Sequence, residues 1–125
     1  MKQNVTLTLM SLLSLLFLMF HFTHDVIRQA AGANTYPIPV LVFALWLYAT
    51  LMLSGRIGGY VIMFLGGLAA LGMPIIHRNN GFTAAVARSP GGLFFIWTLI
   101  ALGVTGGLAM ILSARGLWKL RSRKT

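Results

Sequence analysis

Two histidines and the sequence's single acidic residue sit together at the end of the first apolar run, in His21-Phe22-Thr23-His24-Asp25. Residues three and four apart share a helix face, so His21, His24 and Asp25 can converge on one point. The third histidine, His77, closes another apolar run. Two or three imidazoles and a carboxylate are a ligand set for zinc or a related divalent ion. A second chemistry is haem b, held between His21 and His77, since helix bundles build cofactor sites from facing helices. A third is a proton-handling or quinone-head site, with Asp25 as the ionisable group. Beside these stands the plain reading of a polar helix end that meets water and headgroups, with Arg28 or Arg78 pairing Asp25. The spacing permits a metal without requiring one: the tighter HExxH signature is absent.

Other chemistries are excluded more firmly. The chain has no cysteine, hence no thiolate metal site, disulfide or Cys nucleophile. It contains no GxSxG, and a lone carboxylate cannot form a catalytic pair. We therefore expect no enzymatic activity from this chain alone.

The elements that must position the histidines are membrane spans. Of the 125 residues, 58% are hydrophobic and 9% charged, against about 25% charged in a soluble domain. The charge is missing in long runs, as burial in a bilayer of ~30 Å requires. The expected fold is all-α: a single integral-membrane four-helix bundle with spans at 5–24, 37–53, 57–76 and 91–113. A basic tail follows at 114–125. The first run also has Lys2 before it and Ala30-Ala31 after it, as a signal peptide would, but it is long for that role. Pro37 and Pro39 open the second span, where missing amide protons cost little. Ser54-Gly55-Arg56 is a tight turn, and Pro74 should kink or end the third span just before His77. Residues 25–36 read as a polar connection, and 82–87 as a short interfacial helix. No internal repeat is evident.

Four spans put both termini on one side. That side holds seven cations (Lys2, Arg56, Arg115, Lys119, Arg121, Arg123 and Lys124) and the other three (Arg28, Arg78 and Arg88). The positive-inside rule then makes both termini cytoplasmic. It also places His21, His24, Asp25 and His77 at one depth near the external face. The net charge of +9 is accordingly read as a hold on anionic headgroups by the tail, with Trp118 as interfacial anchor, and not as nucleic-acid binding.

Small residues supply packing faces: Gly103 and Gly107, with Gly106 beside them, in the fourth span, and Gly66 and Ala70 in the third. These are expected to pack within the chain, with a homo-oligomer interface as the alternative. Ser11, Ser14, His21 and Asp25 form a polar stripe on the first span, flanked by Thr8 and His24. Such a stripe should face the bundle or a water-filled cavity; for the Ser and Thr residues the plainer reading, that their hydroxyls bond carbonyls one turn earlier, is preferred.

The segments HDVIR (24–28), SGRIGGY (54–60), FFIWTL (94–99) and ILSARGLW (111–118) resemble a type of small bacterial four-span inner-membrane protein. The resemblance implies the same architecture and a bacterial inner-membrane location, and it brings no activity, cofactor or site residue with it. The expected function is a non-catalytic accessory or interaction subunit of a membrane complex. The alternative is a metal- or haem-binding protein with its site at the external rim. A transporter is disfavoured, because no pair of broken helices occupies matching halves.

Overall fold

The computed structural model describes residues 2–27 and 37–123, all helix and turn. Five helices follow in order: α1 (Lys2–Ile27), α2 (Pro37–Met52), α3 (Ile57–Ile76), α4 (Ala84–Arg88) and α5 (Gly92–Ser122). The polar connection expected after the first span lies largely outside the described residues, since α1 itself continues to Ile27.

Three helices, α1, α3 and α5, are long and apolar enough to cross a membrane. The 16 residues of α2 cover roughly 24 Å, short of a ~30 Å core. Yet α2 runs from one end of the molecule to the other. Pro39 lies with Phe22 and Thr23 at the end of α1. Gly55, just past α2, faces Asn4 at the start of α1, where an added Cβ would lie 3.8 Å from the amide nitrogen. Gly55 has φ +78°, the left-handed conformation that lets the chain reverse within Leu53–Arg56.

α1, α2, α3 and α5 close a ring in which α5 packs on α3 and α1, and α2 packs on α3 and α1 across the centre from it. The core comprises Leu7, Leu15, Trp46, Met63, Leu102 and Ala109, with Tyr60 and Ala70. The outer surface is apolar too: Leu41 is 69% exposed, Leu65 56% and Leu93 70%. On a monomer in water so large an apolar surface would be an aggregation liability. Against acyl chains it is the expected outside of a membrane protein.

Because lipid is as apolar as leucine, the helices must be held by close approach and polar contacts. The tightest approach joins α3 to α5. An added Cβ on Gly67 would lie 2.6 Å from the Gly106 carbonyl oxygen, and one on Gly106 would collide with the Ala70 methyl. Small residues thus pack within the chain, as expected, but the working set is Gly67 and Ala70 against Gly106. Gly103 accommodates the ring of Pro74, whose Cγ would sit 2.8 Å from an added Cβ. α3 continues through Pro74 and ends at Ile76, with His77 as its C-cap; the His77 amide still donates to the Met73 carbonyl at 3.1 Å.

The polar stripe faces inward: Ser11 and Ser14 are fully buried and His21 is 3% exposed. Ser14 Oγ lies 2.8 Å from the Met10 carbonyl, one turn earlier, and 2.9 Å from Thr105 Oγ1 on α5. Thr105 in turn donates to the Ala101 carbonyl at 2.8 Å. Ser14 can therefore turn its one proton to its own helix or across to Thr105, while Ser11 Oγ has no hydrogen-bond partner among the described residues. At the other end of α1, the Tyr60 hydroxyl donates to Asn4 Oδ1 at 2.6 Å, and the Tyr60 ring abuts Gly116. The start of α1, the start of α3 and the final turns of α5 thus share one end of the bundle, here called the basic end.

Most of the expected tail, residues 114–122, is part of the last helix. α5 continues without interruption to Ser122, because residues 114–122 hold good helix formers with only Gly116 against them.

Candidate metal centre at the histidine end

The opposite end is built by the last turns of α1, the end of α3 and the first turn of α5. His21 and Asp25, one turn apart on α1, approach to 3.5 Å between Nε2 and Oδ2. His77 caps α3, and its Nδ1 lies 3.0 Å from the Met73 carbonyl. A carbonyl oxygen only accepts, so this contact puts the proton on Nδ1 and leaves Nε2 with its lone pair available. Fixing the tautomer through a backbone carbonyl is the usual support for a ligating imidazole.

His21 and His77 meet edge to face, with ring centroids 5.1 Å apart and an interplanar angle of 87°. One ligand atom from each of His21, Asp25 and His77 fits within 4.8 Å of the other two. Neither ring nitrogen of buried His21 has a hydrogen-bond partner among the described residues. Orphaned buried polar atoms are uncommon in native structures and call for an explanation. A coordinated ion facing Asp25 and His77 is one that the neighbouring groups can supply.

His24 stands apart from this trio. It stacks on Phe95, ring centroids 4.9 Å apart at 35°, beside Gly91, where an added Cβ would lie 3.5 Å from its Nε2. Of the four expected ligands, the fold brings His21, Asp25 and His77 together and turns His24 to the α5 side. Among the described residues Asp25 pairs with His21 rather than with Arg78; Arg28 lies outside them.

Phe95, missed in the sequence reading, organises the end. It is 7% exposed and touches all three imidazoles, with centroids 4.9 Å from His21 and His24 and 5.9 Å from His77. A signal for it existed. The topology that sets His77 level with His21 also brings the start of the fourth span to that end, where Phe94-Phe95 stands in the sequence.

Phe95 is held there by a tight entry to α5. The N-cap Gly91 has φ +74°, and a side chain on Gly92 would strike the Val86 carbonyl of α4. α4, close to the expected short helix, is capped by Thr83 Oγ1, which accepts from the Val86 amide at 3.2 Å.

The geometry bears unequally on the two cofactor chemistries. Ligand atoms on one tetrahedral zinc lie about 3.3 Å apart, given bonds of roughly 2.0–2.1 Å. The His21–Asp25 separation of 3.5 Å is close to that. A bis-histidine haem needs a macrocycle plane between its two ligand rings, whereas the rings of His21 and His77 are in edge contact. No family model, curated protein or solved structure matches the chain.

Proposed function

We propose that the chain is a multi-pass protein of the bacterial inner membrane that binds a divalent first-row metal ion at the external end of its bundle. His21, Asp25 and His77 are the ligands. The observation that carries this reading is their convergence from two helices, with ligand atoms inside 4.8 Å of one another. Three protein ligands leave a fourth position for water or an exchangeable ligand, as in sites that present a metal rather than bury it. The protein is non-catalytic and acts by holding or handing on the ion. α2 serves as the fourth span, its shortness met by local thinning of the bilayer or snorkelling of flanking residues. The excess of seven cations over three supports cytoplasmic termini and hence an external metal.

The test is metal content and colour of protein purified in mild detergent. Stoichiometric zinc or copper, lost on changing His21, Asp25 or His77 to Ala, is the expected result. A Soret band lost in His21→Ala and His77→Ala would replace the metal by haem. A colourless, metal-free protein that co-purifies with a larger complex would sink both, in favour of an accessory subunit. A periplasmic reporter fused after Thr125 should be inactive; activity there would overturn the orientation.

A further inference from the structure

The ligands His21, Asp25 and His77 stop one short of a closed set, although another imidazole stands on the same helix. His24 follows His21 by three residues and precedes Asp25. At that spacing the Cβ atoms of a helix are only about 5–6 Å apart. Phe95 stands against both rings. Its phenyl group packs on the imidazoles of His21 and His24 alike, with centroids 4.9 Å from each and tilts of 31° and 35°. Its contact with His77 is edge-on, at 74°.

Phe95 is fixed on both sides. Its amide donates to the Gly91 carbonyl at 3.0 Å, and its carbonyl accepts from Thr98 Oγ1 at 2.7 Å. A ring held in this way, buried and already packed on three imidazoles, cannot step aside for a fourth ligand. The trio is open elsewhere: the Asp25 side chain is 26% exposed, against 3% for His21.

We propose that Phe95 is a wedge that bars His24 from the metal and so keeps the fourth coordination position free. The inference rests on the reading of His21, Asp25 and His77 as metal ligands, and it names what governs release of the ion. Zinc held by four protein ligands is the closed, structural arrangement, whereas three leave a position through which the ion can be passed on. An incoming donor, water or a side chain of an acceptor, enters beside Asp25. Without the wedge, a change of rotamer would bring His24 to the metal and close the set.

Zinc affinity and release rate of the full chain in detergent test the wedge, read by competition with a chromophoric chelator. In otherwise wild-type protein, His24→Ala should leave both unchanged. Phe95→Ala should tighten zinc by about tenfold or more, the scale on which groups around metal ligands act, and should slow its release. Adding His24→Ala to Phe95→Ala should return both to wild-type values, which a merely structural role of Phe95 would not produce. The visible absorption of cobalt(II) in place of zinc should shift in Phe95→Ala, as imidazole replaces water, and shift back in the double variant. Phe95→Leu, which keeps an apolar side chain in place, gives the same comparison where the alanine variant fails to fold. Unchanged or weaker zinc binding in the Phe95 variants, or a loss in His24→Ala alone, would overturn the wedge and leave the metal reading standing. Wild-type protein that binds no zinc would overturn the metal reading, and the wedge with it.

Discussion

His21 and His77 touch edge to face at 5.1 Å, and through that contact the last turns of α1 are tied to the C-cap of α3. Both rings also pack on Phe95 of α5. The histidine end is therefore a three-helix junction with imidazoles at its centre, and neither ring nitrogen of His21 has a hydrogen-bond partner among the described residues.

Replacing His21 by Phe should separate stability from metal binding. The ring nitrogens of His21 are buried without hydrogen-bond partners among the described residues and stand 3.5 Å from Asp25 at the nearest, so an apolar ring of similar shape should leave the metal-free unfolding midpoint unchanged or raise it. Zinc at a hundredfold excess over its dissociation constant should stabilise wild-type protein by about 2.7 kcal/mol and should not stabilise His21→Phe. Thermal unfolding with and without zinc reads both effects; an equal zinc response in the two proteins would refute the ligand role.

Alanine at neighbouring glycines should have opposite consequences. In Gly67→Ala the new methyl meets the Gly106 carbonyl at 2.6 Å and the Met110 amide at 2.7 Å. Backbone cannot swing aside, and overpacking of this kind costs about 1–3 kcal/mol. In Gly107→Ala the nearest atom is Leu71 Cδ1 at 3.4 Å, the end of a flexible side chain. Unfolding in mixed micelles should show a clear loss for the first and little change for the second.

The Ser14–Thr105 contact is the hydroxyl pair that bridges α1 and α5 at 2.9 Å. Each hydroxyl also has a carbonyl on its own helix, so either can fall back on that partner. A double-mutant cycle with Ser14→Ala and Thr105→Val should give a coupling near 0.6 kcal/mol, typical of such bonds in membranes. A coupling of several kcal/mol would mean the contact is central to the fold.

Gly91→Ala should cost about 1–2 kcal/mol from the left-handed backbone alone, at φ +74°. Its Cβ would be in ordinary contact with His24, 3.5 Å from Nε2, so the loss is conformational rather than steric. Gly91→Asn, which tolerates that backbone better, should recover part of the stability in the same unfolding assay.

Much of the architecture was legible because a spanning helix advertises itself locally. Apolar runs between Pro, Gly and charged turns marked four helices, of which the last continues to Ser122, well past the expected 113, and alternating direction placed His77 level with His21. The rotation of each helix was less legible. His21 and His24 look equivalent as ligand candidates in the sequence, yet one is enclosed beside Asp25 and His77 while the other stacks on Phe95. The glycine pattern suggested Gly103 with Gly107, whereas the crossing of α3 and α5 turns Gly106 onto Gly67 and Ala70. The tail read as an appendage because its charge ends the apolar run, but charge does not end a helix.

By itself the sequence determined the helices, their order and alternating direction, and the gathering of cations at one end and histidines at the other. These follow from hydropathy and charge, which add up along a single segment. Only the tertiary structure decided that His21, Asp25 and His77 converge and that Phe95 lies among the imidazoles. Those outcomes depend on helix rotation, which small-residue contacts between distant segments set and no single segment encodes.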